Sequence, residues 1–446
     1  MKMNCLLPVL FALLALSCGK EGPDGSSDGA FPKLETVIPE EDTPMSKKSG
    51  KRGICTLLQI GAMPEFLGEG VSWCYNWGHS PLPENKKAAL DKAGITFLPM
   101  VWSTSFNSDH LAIHQHNGCG YVLGYNEPNL MDQARLTPEQ AAKEWVKLIA
   151  EAKRLGLKVV GPAVNYGTMP GYGDPTVWYD DFLSQPGISL DDIDAIALHA
   201  YMSGGNAVKQ VMIRKFAKYG KPLWLTEFAD GEAKTAEQQA RFMQEAVTYL
   251  EADPAVERYA WFMDTITHPA APHFPLVTGP ELATSSVYKR TDLGLLYIYM
   301  SSYDKETFYP VDVNIPAESY SGQIEEESAA TNSWGPMVST RLTTDMFGNL
   351  EIYGLTPKNW VEYNVDIPKA GKYRLDLRYK ATGDSVLLGY FEGETDGIFS
   401  LPDTGVDEWF TKGFVVSLKA GKQTIRLTGF EGDVCLNWLR VTSPIK

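Results

Sequence analysis

The stretch YVLGYNEPNLMDQARLTPEQAAKEWVKLIAEAKRLGLKVVGP, residues 121–162, contains an apolar strand, an amphipathic helix and a second apolar strand. Thr137 stands at the N-cap of the helix, Pro138 takes its first position and Gly156 takes its C-cap. A segment of this kind predicts two parallel strands, because the helix carries the chain back to the end at which the first strand began.

The same alternation extends in both directions, from about residue 51 to about residue 305. Continuous rather than alternating apolar strands are typical of a parallel sheet covered by helices. Eight such strands at this length predict a (β/α)8 TIM barrel. A doubly wound open sheet is the alternative, but no glycine-rich phosphate motif supports it. The eight candidate strands are Gly53–Leu58, Val71–Tyr75, Ile95–Val101, Tyr121–Asn126, Lys158–Pro162, Ala195–Tyr201, Leu223–Glu227 and Arg258–Met263.

Helical periodicity ends near residue 311. Short strand-like segments follow, such as KYRLDLRYKA at 372–381 and QTIRLTG at 423–429, and turn residues separate them. Many short strands at such spacing predict an all-β sandwich, here of the jelly-roll type. The sequence therefore predicts an α/β barrel domain at 51–308 followed by an all-β domain at 309–446.

The N-terminus has the features of an export signal. Lys2 supplies a positive charge, Leu6–Leu16 form an apolar run too short to cross a bilayer, and small residues precede Cys18. This pattern resembles a bacterial lipobox. It predicts a lipoprotein signal peptide at 1–17, a lipid anchor on Cys18 and a flexible polar tether at 18–50. We expect an exported lipoprotein at the outer membrane, the cell surface or the periplasmic face; ordinary signal-peptide cleavage is the alternative.

Charge and composition limit the partners further. Lys and Arg total 40 and Asp and Glu total 55, which gives a net charge of −15. No long basic run occurs, which argues against a nucleic-acid partner, because such binding needs a positive footprint. The 11 Trp and 21 Tyr residues fit either core packing or stacking on the apolar faces of sugars.

The cysteines beyond Cys18 form no CxxC pair and suit neither a zinc site nor a disulfide framework. We expect buried thiols; a Cys55–Cys74 bridge between neighbouring strands is the alternative. These residues are Cys55, Cys74, Cys119 and Cys435.

Two predicted strands end in a glutamate. Glu127 follows Tyr121–Asn126 in YVLGYNEPNL, and Glu227 follows Leu223–Thr226 in KPLWLTEFAD. A carboxylate that closes an apolar strand is costly unless it lies at a rim and is used. Catalytic groups of a barrel project from the carboxyl ends of its strands. We therefore expect both glutamates at one rim, on strands 4 and 7; a cap or an ion pair is the alternative for either one alone.

Residues 51–300 resemble the family 128 glycoside hydrolases of clan A, which are endo-β-1,3-glucanases. The resemblance rests on the ordered set KRGI, VSWCYNWG, FLPMVW, LGYNEPNL, VGPAV, IALHAY, WLTEFA and YAWFM. The segment KRGICTLLQIG departs from the family pattern after its first three residues. The resemblance implies hydrolysis with retention of configuration by double displacement, and no cofactor for catalysis.

The resemblance also implies roles for individual residues. Glu127 is the general acid/base and Glu227 the nucleophile. Asn126 hydrogen-bonds the sugar 2-hydroxyl, and Tyr201 holds Glu227 through its hydroxyl while His199 shares its strand face. The other residues expected to bind substrate are Trp73, Asn76, Trp77, Trp102 and Trp261.

Residues 313–446 resemble a family 6 carbohydrate-binding module. The matching segments are IPAESYSG, NWVEYNVDIPKAGKYRLDLRYKATG, LPDTGVDEWF, LKAGKQTIRLTG and CLNWLRV. The resemblance implies that Tyr353 and Trp409 sandwich a sugar and that Glu318, with Asn437, helps to bind a structural calcium ion. Cys435 stands where the family usually has Asn, which removes one hydrogen bond to the ligand. Pro316 stands in place of a Glu, which removes one acidic side chain.

The sequence therefore predicts a retaining endo-β-1,3-glucanase, acting as a monomer on a β-glucan polysaccharide. Two other functions stay open. One is a non-catalytic surface glycan-binding lipoprotein with the same folds, against which the presence of both glutamates speaks. The other is a hydrolase of another β-glycan linkage, such as mixed-linkage glucan or xylan, because loops that shape the cleft set linkage choice.

Overall fold

The computed structural model describes residues 46–58, 63–265, 271–278, 288–323, 337–346, 348–392 and 394–442. The predicted signal peptide at 1–17, Cys18 and the tether up to residue 45 lie outside these residues. No helix in the described ranges combines the length and the apolar character that crossing a membrane requires. Contacts divide the chain into two units, the first with Gly50–Phe242 and Ala255–Leu293, the second with Met243–Pro254 and Gly294–Lys446.

The first unit contains eleven of the described strands. They are β1 Arg52–Cys55, β2 Trp73–Tyr75, β3 Thr96–Phe97, β4 Met100–Val101, β5 Tyr121–Gly124, β6 Lys158–Val160, β7 Ile196–Ala200, β8 Leu223–Phe228, β9 Val256–Trp261, β10 Val277–Thr278 and β11 Lys289–Arg290. The first nine cover the eight candidate segments, because the segment 95–101 forms two short strands, β3 and β4.

The strands β1 to β9 pair in parallel and in chain order. β2 pairs with β3, β4 with β5 and β5 with β6, while bridges at Val160–Ala195 and Val164–Leu198 join β6 to β7. β7, β8 and β9 continue the series, and β9 pairs with β1. β1 also pairs with β2, so these strands form one sheet with the order β3-β2-β1-β9-β8-β7 and a second with the order β4-β5-β6.

Helices connect these strands, as the alternation predicts. The helix Pro138–Leu155 has a capping box, in which Thr137 and Gln140 bond each other's backbone N–H groups, and it ends at Gly156 with φ 69°. The α-helices are Met63–Leu67, Glu84–Lys92, Ser108–His116, Pro138–Leu155, Pro175–Leu183, Gly205–Ala207, Arg214–Phe216, Ala236–Ala252 and Asp292–Tyr299. Leu190–Asp192 and Ala217–Tyr219 are 3-10 helices, and Val208–Ile213 is a π-helix.

The second unit holds two sheets. Its strands are β12 Tyr309–Pro310, β13 Ile315–Pro316, β14 Ser339–Leu342, β15 Leu350–Tyr353, β16 Trp360–Ile367, β17 Gly371–Ala381, β18 Ser385–Phe391, β19 Glu394–Leu401, β20 Phe410–Leu418, β21 Gly421–Glu431 and β22 Val434–Thr442. One sheet has the order β12-β16-β21-β18-β19 and the other β14-β15-β22-β17-β20, with β13 also on β22.

Both sheets of the second unit contribute to one apolar core. Tyr363, Leu387 and Leu427 come from the first sheet, and Leu375 and Leu439 from the second. All five side chains are fully buried. An α/β unit followed by a unit of two sheets agrees with the α/β and all-β fold classes that the sequence predicts. The contacts assign Met243–Pro254 and Gly294–Lys446 to the second unit, whereas the predicted boundary lies between residues 308 and 309.

Candidate active site

Glu127 and Glu227 lie at the same edge of the parallel strands. Glu127 follows β5 and Glu227 is the fifth residue of β8, so both stand at carboxyl ends of parallel strands. Glu127 has φ 43°, in the left-handed region that non-glycine residues disfavour. Its N–H donates to the carbonyl of Ala163 at 2.9 Å, and its own carbonyl accepts from Leu130.

His199 lies between the two carboxylates. Its Nδ1 is 2.9 Å from Oε1 of Glu127 and 3.3 Å from Oε2 of Glu227. One carboxylate oxygen from each glutamate and a ring nitrogen of His199 lie within 4.8 Å of one another. The side chains of all three residues are fully buried. The two carboxyl groups can therefore act on the same bond.

Glu227 accepts hydrogen bonds from three aromatic side chains. The Tyr75 hydroxyl donates to Oε1 at 3.0 Å, the Trp77 indole N–H donates to Oε1 at 2.6 Å and the Tyr201 hydroxyl donates to Oε2 at 2.5 Å. Hydrogen bonds of this kind favour the ionised carboxylate and hold it in one orientation. Burial raises the pKa of Glu227 above its usual range, and Glu127 adds to this effect, whereas His199 and the hydrogen bonds from Tyr201 and Trp77 oppose the rise.

Glu127 has a different environment. Its Oε1 accepts from Asn165 at 3.1 Å and contacts His199, while its Oε2 is buried without a hydrogen-bond partner. Burial raises the pKa of Glu127 from 4.5 to about 8, against the smaller opposing effect of the Asn165 amide. Burial also lowers the pKa of His199, which favours the neutral imidazole. Of the two carboxyl groups, Glu127 is the one built to carry a proton.

A comparison with known families agrees with this geometry. The family model described as "Glycosyl hydrolase catalytic core" matches residues 59–283, just over half of the chain. The chain belongs to this family. A second model, "Carbohydrate binding module (family 35)", matches residues 335–441.

Two proteins and one binding module are also similar to parts of the chain. A subgroup II family 128 endo-β-1,3-glucanase from Pseudomonas viridiflava is 36% identical over 56% of this chain and 98% of its own, with a TM-score of 0.50. "Alkali-sensitive linkage protein 1" of Schizosaccharomyces pombe is 30% identical over 49% of this chain, but the match spans only 39% of that protein. The family 6 module of Cellvibrio mixtus lichenase 5A is 25% identical over 30% of this chain and 99% of its own, with a TM-score of 0.26.

These matches confirm the resemblance to family 128 and to a carbohydrate-binding module. For the second unit, the family model that matches is family 35, whereas the sequence motifs point to family 6. The glycosyl hydrolase match contains both glutamates, and the module match contains Tyr353 and Trp409.

Asn126 directly precedes Glu127 at this edge of the parallel strands. Its amide nitrogen donates to Gln133 at 3.1 Å, and its Oδ1 is buried without a hydrogen-bond partner. Asn76, in contrast, takes part in a turn, since its Oδ1 accepts from the N–H of Gly78 at 3.2 Å. Among the expected substrate-binding residues, His199, Tyr201 and Trp77 contact one or both glutamates directly.

Two of the four expected cleft tryptophans, Trp73 and Trp261, pack against other parts of the first unit. Trp73 is the first residue of β2, so it lies at the amino end of the parallel strands. Its side chain is fully buried, and its indole N–H donates to the carbonyl of Lys51. Trp261 is also fully buried, and its ring lies 6.1 Å from that of Phe242 on the helix Ala236–Ala252. Trp261 ends β9, but its ring packs on Phe228 and Phe242, so its position at the carboxyl end does not by itself bring it to the glutamates. Trp102, after β4, is 36% exposed at that edge.

Sequence reasoning missed Asn165 and Asp264. Asn165 follows β6 and contacts Glu127, and its carbonyl accepts from Asn129 at 2.6 Å. Asp264 follows β9; Thr56 donates to its Oδ2 at 2.8 Å, and burial raises its pKa to about 7. Both are polar residues just after an apolar strand, which is the signal that identified the two glutamates.

The two aromatic residues expected to bind sugar in the second unit have cations over their rings. The Arg341 guanidinium lies 4.6 Å from the Tyr353 ring centroid, and the Lys380 ammonium lies 5.0 Å from the Trp409 ring centroid. The fully buried Glu351 contacts both cations, Arg341 at 2.7 Å and Lys380 at 3.6 Å. A sugar that stacked on either ring would compete with these cations.

The residues expected to bind calcium lie near one backbone segment. Glu318 is buried, and its Oε2 has no hydrogen-bond partner. Burial raises the pKa of Glu318 to about 8, against the smaller opposing effect of backbone hydrogen bonds from its own N–H and from Leu350. Asn437 donates to Asp345 at 2.7 Å, and its Oδ1 lies close to Gly348, where a Cβ would approach it to 2.7 Å. Oxygen donors of this type suit a calcium ion.

The cysteines of the described ranges are free thiols. Cys55, Cys74 and Cys119 are buried, and Cys435 is half-buried. Burial raises the pKa of Cys55, while Glu227 adds to the effect. The buried-thiol interpretation therefore holds in this structure, and the alternative Cys55–Cys74 bridge is not formed.

Proposed function

We propose that this protein is a glycoside hydrolase that cleaves β-1,3-glucan internally with retention of anomeric configuration. The observation that carries the proposal is the pair Glu127 and Glu227, with carboxylate oxygens within 4.8 Å of each other across one site. Retaining glycosidases hold their two carboxyl groups about 5–5.5 Å apart, whereas inverting enzymes separate them further to admit a water molecule.

Glu227 acts as the nucleophile in this reaction. Its carboxylate attacks the anomeric carbon while Glu127 gives its proton to the departing glycosidic oxygen, which leaves a glycosyl ester on Glu227. Glu127, now ionised, removes a proton from a water molecule that attacks the same carbon. The ester bond breaks, the sugar leaves with its original configuration and Glu127 regains its proton.

The surroundings of each carboxyl group support these roles. The hydrogen bonds from Tyr75, Trp77 and Tyr201 favour an ionised Glu227. The raised pKa of Glu127 suits a general acid at neutral pH. Asn126 Oδ1, which has no protein partner, is positioned to accept a hydrogen bond from a sugar hydroxyl.

The substrate assignment rests on similarity. The Pseudomonas viridiflava structure is that of an endo-β-1,3-glucanase, and this chain covers 98% of it at 36% identity. We propose the same linkage and internal cleavage here. We also propose that the parallel strands close into a (β/α)8 barrel at 51–308, which the pairing of β9 with β1 supports. The all-β unit at 309–446 is proposed to have the jelly-roll connection order.

The second unit is proposed to bind glucan through Tyr353 and Trp409 and to hold a calcium ion with Glu318 and Asn437. The buried, unpartnered Oε2 of Glu318 supports the metal, whose role is structural. We further propose that Cys18 carries a lipid that anchors a monomeric enzyme to a membrane, at the outer membrane, the cell surface or the periplasmic face. The apolar run before Cys18 supports export.

The stereochemical course tests the mechanism. Proton NMR of the first products from a linear β-1,3-gluco-oligosaccharide should show the β-anomer before mutarotation. Aryl β-glycosides with good leaving groups should react with Glu127→Ala, and azide should restore its turnover as a β-glycosyl azide. An α-glycosyl azide from Glu227→Ala is expected, because azide then attacks directly from the vacated face.

Three outcomes contradict the assignment. Initial release of the α-anomer excludes retention. A β-glycosyl azide from Glu227→Ala means that the two roles are exchanged. A linear β-1,4-glucan cleaved faster than the β-1,3-glucan, in parallel assays with the same enzyme, overturns the linkage.

A further inference from the structure

The site contains a set of donors that can bind a metal ion, in addition to its two catalytic carboxylates. Among the described residues, one group of His, Cys, Asp or Glu side chains brings three ligand atoms within 4.8 Å of one another. It consists of Glu127, His199 and Glu227. We propose that these three side chains form a Zn²⁺ site at which the metal inhibits the enzyme. The binding stands on this geometry, and the inhibition rests on the proposed function.

The distances are close to those of a zinc site. Zinc binds histidine nitrogen at about 2.0–2.1 Å and carboxylate oxygen at about 2.0–2.2 Å, so the ligand atoms of a tetrahedral site lie about 3.4 Å apart. Nδ1 of His199 is 2.9 Å from Oε1 of Glu127 and 3.3 Å from Oε2 of Glu227. The two carboxylate oxygens lie within 4.8 Å of each other, so an approach of about 1.4 Å or less completes a set of three zinc ligands.

An unsatisfied polar atom at the same place strengthens the inference. Glu127 Oε2 is buried and has no hydrogen-bond partner in the protein. A buried polar atom without a partner is costly, so a metal that binds this oxygen gains free energy. Glu127 can also rotate to offer Oε2 to the metal while Asn165 keeps its bond to Oε1.

The donor set selects the metal class. Imidazole together with carboxylate suits zinc, whereas calcium and magnesium prefer six or more oxygen ligands. Three protein ligands leave a fourth position for water. Bound zinc occupies the carboxylate that must attack and the carboxyl that must donate a proton, so hydrolysis stops. No step of the proposed reaction uses the metal.

Other donors have to be removed before the binding is measured. Cys435 is half-buried and carries a free thiol, and the His79 and His110 rings lie 5.7 Å apart near the surface. The double variant Cys435→Ser, His110→Asn removes the free thiol and one ring of the histidine pair, and it leaves the catalytic residues unchanged. Folding of every variant is checked by circular dichroism and thermal unfolding.

Isothermal titration of this full-length double variant with ZnCl₂ tests the proposal. We expect one site, and binding at least about tenfold weaker when Glu227→Gln or His199→Asn is added, because each change deletes a ligand. Zinc should raise the Tm of the double variant more than that of either ligand variant. MgCl₂ and CaCl₂ at the same concentrations should not compete with zinc.

A kinetic arm measures the inhibition. Zinc should raise the apparent KM for a soluble β-1,3-gluco-oligosaccharide without lowering kcat, and EDTA should reverse it. Equal zinc affinity in the double variant and in both ligand variants overturns the site, as does inhibition that substrate cannot relieve. If zinc binds as stated while no glycan is hydrolysed, the metal site stands and the proposed function fails.

Discussion

The two units use aromatic side chains in opposite ways. In the first unit, Trp77 and Tyr201 turn their polar hydrogens onto the carboxylate of Glu227. In the second unit, Tyr353 and Trp409 have cations over their ring faces, and sugar stacking needs those faces. An abundance of Trp and Tyr therefore says little about sugar binding until the neighbours of each ring are known.

The charges around the aromatic rings explain this difference. Glu227 is a buried anion that lacks a Lys or Arg partner among the described residues, so N–H and O–H donors surround it. Glu351 is also a buried anion, but Arg341 and Lys380 compensate its charge and extend from it over the rings. The first arrangement prepares a carboxylate for chemistry, and the second satisfies a carboxylate within the fold.

Removing the nucleophile should give the largest effect. We expect Glu227→Gln to lower kcat on β-1,3-gluco-oligosaccharides by about 10⁴-fold or more, because no glycosyl ester forms. Glu351→Gln is the matched control in the second unit, and it should leave oligosaccharide kcat within about twofold. Equal losses in the two variants contradict the division of roles.

The pH dependence should report Glu127. Activity should fall as the pH rises through about 8, because Glu127 then loses the proton that it must donate. The pKa of Glu127 in the folded protein lies above the ordinary value of 4.5, so Glu127 ionises at a lower pH in the unfolded chain. The protein therefore loses stability as the pH rises from 4.5 to about 8. Glu127→Gln stays neutral, and its Tm should exceed that of the unchanged protein at pH 9 but not at pH 5.

That prediction is checked with a kcat profile and with thermal unfolding at several pH values. If the Tm of Glu127→Gln differs from that of the unchanged protein by the same amount at pH 5 and at pH 9, Glu127 is not a buried acid of raised pKa.

Trp77→Phe should have a smaller effect than the loss of either glutamate. It removes one hydrogen bond to a charged group, worth about 1.5–3 kcal/mol, so kcat should fall roughly 10–100-fold. Trp261→Phe is the matched control, since its indole donates to the Phe274 carbonyl instead. That variant should lower Tm with little change in kcat, and a large loss of kcat in both variants contradicts the placement of Trp261 outside the site.

The smallest effect is expected from the second unit. Trp409→Ala should weaken binding to insoluble β-1,3-glucan by about two- to tenfold, because an aromatic contact contributes about 0.5–1.5 kcal/mol, and oligosaccharide turnover should not change. Trp438→Ala, which removes another half-buried ring with a cation nearby, is the control. If the Trp409 variant pellets with glucan as strongly as the unchanged protein and Trp438→Ala do, the Trp409 ring does not bind the glucan.

Local patterns in the sequence predicted much of the fold. Continuous apolar strands alternate with capped helices, and Thr137 with Gly156 marks the ends of one helix as the structure has them. Glu127 and Glu227 could be placed at one edge because parallel strands all end on the same side. These inferences need only chain order and the direction of each strand.

The tertiary structure alone decided which side chains meet. Successive residues of a strand point to opposite faces, so an uncertainty of one residue in a strand's start reverses the predicted face of every side chain. The sequence therefore could not show that Trp261 packs against a helix. It also could not show that Trp77, just beyond its strand, reaches Glu227. The cations over Tyr353 and Trp409 depend on Glu351, whose buried charge no local pattern reveals, because burial is a property of the packed sheets.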